Sequence, residues 1–283
     1  LNGRPYTRNY LMHKDIIAGG ELLLEMGDTP NGRWGSRPED CPGDPGMNQT
    51  DHVYQAKDLG IIGDGKTLNT EAIQKAINSI ADRGGGKLIF TPGVYLTGTI
   101  MIKSNIELHL DSGAIIKGSP LSRDYYPLCH SMPDANHKTD DSGLGLILAH
   151  DSENISLTGD GTIDGNGRAV ALDVDSLYHA GLIKDSHYNK FRHRPGELVR
   201  PSLFNFTGCT GVKIQDLHLR NSAGWGLSFD LCKNMVLERL KILNRAYWNN
   251  DGIDISDCQR ALIRDCRINS ADDGICLKSY HVN

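Results

Sequence analysis

The chain has 283 residues, 39% of them hydrophobic and 23% charged, the make-up of one folded domain or of one domain with an appendage; wholesale disorder is excluded. No apolar run approaches the roughly 20 residues that a membrane-spanning helix needs. A formal net charge of −5 excludes nucleic-acid binding by the chain as a whole, and 6% aromatics leave little for a base-stacking platform.

In chain order, residues 1–46 stand apart as an N-terminal appendage and linker. Glu21 to Met26 (ELLLEM) reads as one strand, and Arg33 to Gly46, rich in proline, glycine and charge, reads as a linker that places a boundary near Met47. Gly60 to Thr67 (GIIGDGKT) satisfies the phosphate-loop pattern G-x-x-x-x-G-K-[ST] letter for letter. The preceding Gln55-Ala56-Lys57-Asp58 is too polar for the buried strand such a loop must leave, so the segment reads as a glycine turn. The spacing of Ala72, Ile73, Ala76, Ile77 and Ile80 predicts a helix over 70–82, with Asn69 or Thr70 as N-cap and Gly84-Gly85-Gly86 as its end. No comparable helix is expected beyond it.

The remainder repeats. Segments beginning at Cys209, Cys232 and Cys258, 23 and 26 residues apart, agree column by column. The columns are Val212, Met235, Ala261; Ile214, Leu237, Ile263; Leu217, Leu240, Cys266; and Leu219, Ile242, Ile268. A weaker copy holds Ile155, Leu157 and Ile163, and the strand after each turn aligns Leu227, Ile253, Ile275 and Phe229, Ile255, Leu277. Short alternating strands at this period, with no helix inside it and no leucine-rich-repeat frame, predict stacked coils. The fold class is therefore all-β: a right-handed parallel β-helix from about residue 85 to 283, in a domain running 47–283, with the 70–82 helix capping its N-terminal end. Seven cysteines are present without a CxxC pair, so no zinc site is expected. The aligned Cys209, Cys232 and Cys258 are either a stacked column of small residues or the source of one disulfide. The sequons at Asn48, Asn154 and Asn205 are about as many as chance gives.

The chemistry concentrates in two successive coils. Gly226, Gly252 and Gly274 share a column, so Trp225, Asp251 and Asp273 share the one before it, and Asp272 stacks on Asn250. Side chains on adjacent coils stand about 5 Å apart. Three carboxylates crowded this closely raise at least one pKa and set an acid beside a base, the minimal kit for glycoside hydrolysis. A solvated acidic turn or an adventitious calcium site is the bland alternative. Asp254, between inward Ile253 and Ile255, is expected to face outward, as is Lys278, which either binds an anionic sugar or offsets the aspartates. Trp225 and Trp248 are either sugar-stacking platforms or corner packing.

These residues resemble glycoside hydrolase family 28, the polygalacturonases. Asn249-Asn250-Asp251-Gly252 is similar to the family's first signature, and Asp272-Asp273-Gly274 followed by ICLKS to its second. GIIGDGKTLNTEAIQKAI and the following stretch from Gly84 resemble the family's N-terminal part, so that the resemblance spans about 53–280. It implies Asp272 as general acid, Asp251 and Asp273 as the residues that position and activate water, and Asn249 as assisting in holding the site and substrate; Asp254 and Lys278, outward-facing near the carboxylates, are the further candidate substrate-binding residues. It further implies inverting, metal-independent hydrolysis of α-1,4-galacturonic acid or related pectic bonds without a cofactor. The expected partner is a polysaccharide (pectin, polygalacturonate or rhamnogalacturonan), acted on by a secreted or periplasmic monomer. The family's Gly-His-Gly and Arg-x-Lys signatures would lie downstream of Asn283, so the chain reads as truncated at its C-terminal end. Residues 1–40 more weakly resemble the C-terminal end of family 92 α-mannosidases, with no catalytic residue to carry over. A polysaccharide lyase on the same fold, which needs calcium and a basic proton acceptor, and a non-catalytic carbohydrate-binding β-helix are the rival readings.

Overall fold

The structure, a computed structural model, describes residues 19–21, 23, 52–125 and 143–280. It divides into two units, Leu1–Asp51 and His52–Asn283, and everything below concerns the second. The expected linker at 33–46, most of the expected strand at 21–26, Asn48, Cys41 and Cys129 lie outside the described residues, as does nearly all of the stretch resembling family 92.

Parallel strands form three sheets, of seven, seven and six strands. The first sheet begins with Val53–Gln55 and ends with Gln259–Arg264, the second runs from Asp64–Leu68 to Arg267–Ser270, and the third from Ile100–Ile102 to Ile275–Lys278. Each coil after the first contributes one strand to each sheet in turn, and the first coil gives strands to two sheets and then the helix at 70–81, so that the whole is the parallel β-helix expected. The register matches the sequence columns: Ile214 pairs with Leu237 and Leu237 with Ile263, Leu219 with Ile242 and Ile242 with Ile268, Leu227 with Ile253 and Ile253 with Ile275. Inward residues alternate with outward ones because successive strand side chains point to opposite faces. Ile214, Leu237, Phe204, Phe206 and Phe229 accordingly form a continuous buried core.

The corners are as regular as the strands. At the start of five strands of the first sheet, Asn105 just before its strand and Asn154, Gly211, Asn234 and Arg260 as the second residue of theirs have positive φ. So do Gly159, Asp216, Arg239 and Asp265 just after strands of the first sheet, and Asp151, Gly208, Leu231 and Asp257 just after strands of the third. Helix α1, Thr70–Ala81, buries Ile73, Ala76, Ile77 and Ile80 against the first coils. Asn69 is its N-cap, with its carbonyl accepting from Ile73 N at 2.8 Å, but its side chain makes no cap bond to the helix. Its side-chain amide instead donates to the carbonyls of Ile62, Thr67 and Leu96, and its oxygen accepts from Ile62 N, tying the entering chain to the first coils.

The segment 60–67 is a turn and a strand. Asp64 accepts hydrogen bonds from Lys66 N, Thr67 N and Thr67 Oγ1, each at 2.8 Å, so the amides a phosphate would need are already taken. Cys209, Cys232 and Cys258 are free and stacked, with Cys232 N donating to Cys258 Sγ at 3.3 Å. Asn205 is buried in the third sheet, which closes that sequon to modification.

One expectation fails. A second helix, α2, spans Gly167–His179, inside a long excursion between the strands Thr162–Asp164 and Ser202–Thr207. Its apolar stripe is only Val170, Ala171 and Val174, interrupted by Asp173 and Asp175, too short to register against the alternation around it. Packing supplies what the stripe lacks: Gly167 N donates to Asn221 O, and Asp173 accepts from the amide and hydroxyl of Ser122 at 2.7 Å.

Because Leu237 sits fully buried between Ile214 and Ile263, Leu237→Ala leaves a cavity that neighbouring coils cannot close. The expected loss is about 2–5 kcal/mol, read from urea unfolding followed by circular dichroism.

Candidate active site

The site is built at the junction of the second and third sheets. The strand Lys241–Asn244 ends, the chain passes through Trp248 and Asn249, and it re-enters the third sheet as Ile253–Ser256. Asn249 takes a left-handed φ of 55°, which an Asn accepts more readily than most residues. Gly252 then packs so tightly beneath the next coil that a Cβ there would lie 2.3 Å from Gly274 O and 2.5 Å from Ile268 Cγ2. That closeness keeps the two aspartate-bearing turns in register: Gly252 N donates to Asp273 O at 2.8 Å, and Asp272 N to Asn250 O at 3.3 Å. The stacking expected of Asp251 with Asp273, and of Asp272 with Asn250, is therefore present.

Two buried asparagines brace the turn. Asn250 donates to Ser222 O and Gly224 O and accepts from Tyr247 N, while Asn244 accepts from Ser222 N and donates to Asp251 O at 2.7 Å. Arg200, 1% exposed, reaches in from the excursion. Its Nε donates to Gly196 O, its Nη1 to Trp248 O at 3.0 Å and also to Ala223 O, and burial pushes its pKa down to about 10. The guanidinium groups of Arg194 and Arg200 lie 3.7 and 4.4 Å from the centroid of the Trp248 ring. Sequence reasoning overlooked Arg200 and Asn244. Only Asn250 left a signal, as a second asparagine in Asn-Asn-Asp-Gly.

The third sheet is buried on both faces at its last fully packed strands, Leu227–Asp230 and Ile253–Ser256. Asp254 does leave the coil on its outer side, yet it is 0% exposed. Lys278, two residues past Cys276 on the next strand, brings Nζ to 3.2 Å from Asp254 Oδ1 and 3.3 Å from the centroid of the Trp225 ring. Trp225 is itself buried. Burial raises the Asp251 carboxyl to about 7, with the charges of Asp254, Asp272 and Asp273 adding to the rise and Lys278 opposing it. Asp251 Oδ1 and Asn249 Oδ1 are buried without a hydrogen-bond partner among the described residues. Asp272 and Asp273 are exposed on the last described coil. The fold thus brings Asp251, Asp254, Asp272, Asp273 and Lys278 into one electrostatic neighbourhood, with Asn249 at its edge. A buried carboxyl crowded by other carboxylates can hold its proton up to neutral pH.

Residues 110–283, more than half of the chain, match the model of glycosyl hydrolases family 28, and the chain belongs to that family. It is similar to a probable polygalacturonase of Vitis vinifera, 29% identical over 236 residues that cover 81% of this chain and 44% of the relative. It is also similar to an exo-poly-alpha-D-galacturonosidase of Dickeya chrysanthemi, 28% identical over 254 residues that cover 79% of this chain and 41% of the relative. Among solved structures, a hyperthermoactive exopolygalacturonase from Thermotoga maritima superposes with a TM-score of 0.66 at 29% identity, covering 81% of this chain and 55% of that one. The chain spans less than half the length of the two curated relatives.

A carboxyl that releases its proton near pH 7 when folded, and near 3.8 when unfolded, binds more protons in the folded state between those values. Its contribution to stability therefore falls as pH rises through that window, and the penalty is complete above about 7. Asp251→Asn removes the penalty. The variant should melt several degrees above the parent at pH 8 and match it near pH 3.5; scanning calorimetry at both pH values checks this.

Proposed function

We propose that this chain carries the catalytic coils of a hydrolase that cleaves α-1,4-galacturonic acid or related pectic linkages with inversion. The observation that carries the reading is the pair of stacked turns, Asn249–Gly252 and Asp272–Gly274, whose aspartates surround a carboxyl held protonated to about pH 7 in a chain of family 28. The relatives' activities on galacturonans support the substrate class.

In this reading the cluster keeps one proton among its carboxyls, a property of the group rather than of one member. Asp272, exposed toward solvent, delivers a proton to the glycosidic oxygen as the bond breaks. Asp251 and Asp273, once ionised, orient a water and accept its proton as it attacks the anomeric carbon from the opposite face. Asn249 holds the substrate at the edge of the turn. Lys278 supplies the positive charge that an anionic sugar requires, and Asp254 fixes Lys278 over Trp225. No step calls for a metal or a cofactor. A polymer substrate stays outside cells, so the enzyme works as a secreted or periplasmic monomer, with residues 1–46 as a separate appendage to the domain at 47–283.

In the complete protein, Asp251→Asn, Asp272→Asn and Asp273→Asn should each lower turnover of polygalacturonate by about 10²–10⁴ while leaving circular dichroism unchanged. Proton NMR of the first product should show the inverted anomer. If all three variants keep near-normal turnover, the site is elsewhere.

The pH profile follows from the role given to Asp251. It must be ionised to orient the attacking water, so activity should rise as pH rises through about 7, the value at which Asp251 releases its proton. Initial rates across pH 3–9 check the shape, and a rate that falls through pH 7 counts against Asp251 as the water-activating group.

A further inference from the structure

The second sheet turns its outer face away from the core, and on that face lies a groove of about 310 Å³. The strand register stacks Thr162, His218, Lys241 and Arg267 in one outward column, because Thr162 pairs with His218, His218 with Lys241, and Lys241 with Arg267. All four line the groove. Adjacent strands are about 4.8 Å apart, so Lys241 and Arg267 stand as direct cross-strand neighbours of like charge, an arrangement that destabilises a sheet. Asp160 offsets only the lower part of the column, at 3.2 Å from His218 and 3.9 Å from Lys241. Arg267 has no carboxylate within ion-pair distance among the described residues. Beside this column Leu243, 50% exposed, gives the groove an apolar floor.

We propose that this groove is a second carbohydrate site, separate from the aspartate turns, which binds an acidic polysaccharide laid along the solenoid axis. Sugar carboxylates would meet Lys241 and Arg267 and relieve their repulsion, while the apolar face of a pyranose ring covers Leu243. The coil spacing repeats the cations along the groove, which suits a linear polymer with one carboxylate per residue better than a compact anion. The choice of a uronate chain as ligand rests on the function proposed above; the groove and its charges do not.

The test uses a galacturonate decamer, its fully methyl-esterified form and inorganic polyphosphate, each titrated by calorimetry into the complete protein carrying Asp272→Asn so that the chain stays intact. The same titrations are made with Lys241→Glu and Arg267→Glu added; both side chains are exposed, and circular dichroism verifies folding. Turnover of a galacturonate trimer is measured separately on the protein carrying only the two charge reversals. The expected result is two classes of decamer site, one of which weakens about tenfold or more on charge reversal, no binding of the ester at that site, and unchanged trimer turnover. An identical isotherm after charge reversal overturns the proposal, as does equal binding of the ester. Polyphosphate binding as tight as the decamer reduces the groove to a general anion patch and also overturns it. If the decamer binds at the groove but wild-type protein never cleaves the trimer, the proposed function fails and the second site stands.

Discussion

Every coil in this protein depends on residues that turn its corners in the left-handed region of backbone space. That conformation costs an ordinary L-residue roughly 1–2 kcal/mol. The cost is accepted in register from coil to coil: Asn105, Asn154, Gly211, Asn234 and Arg260 at one corner, and Asp151, Gly208, Leu231 and Asp257 at another. Asparagine, aspartate and glycine carry most of it, since their short or absent side chains tolerate the bend best. Where Leu231, Arg239 and Arg260 sit instead, the ladder bonds of the flanking coils hold the bend against its preference. The corners fix strand register, register fixes which residues face inward, and the two aspartate turns inherit their mutual position from both.

The aspartate turns add a second constraint. Their carboxylates are brought together by backbone bonds from Gly252 N and Asp272 N to the neighbouring coil, and not by attraction between the side chains, which repel. Asn244, Asn250 and Arg200 offset this from behind, filling the polar gaps under the turn with side-chain donors and acceptors. Buried groups of this kind stabilise only when satisfied, and one missing partner leaves the rest exposed to the full desolvation cost. The rigidity of the turn and the poised state of Asp251 thus have a common origin in the burial of the groups behind the site.

Much of this was legible in the residues. A column of Ile214, Leu237 and Ile263 announces stacked strands, because period-two alternation repeated at a fixed interval is what a coil needs in order to bury its inner face against the next. The same alignment superimposed Asp251 on Asp273. Three features were not legible. Alternation places Asp254 outside the coil but carries no information on whether that outer face is wet, and the carboxyl is in fact fully buried. Asn69 reads as a helix cap from its position, whereas its amide serves three carbonyls from Ile62, Thr67 and Leu96. Helix α2 and Arg200 belong to an excursion whose conformation is set by contacts with Ser122, Asn221 and Trp248, partners distant in the chain.

That excursion leaves the second sheet after Asp164 and returns to the third at Ser202, one corner of one coil. Whatever happens between those points leaves the neighbouring registers untouched, since the strands on either side pair with coils above and below and not with the inserted chain. Residues can be gained or lost there at the small entropic cost of a longer loop. The scaffold and the excursion can therefore diverge at different rates, the first held by the repetition of its coils and the second only at the few points, Arg200 among them, where it packs under the aspartate turn or onto adjacent coils.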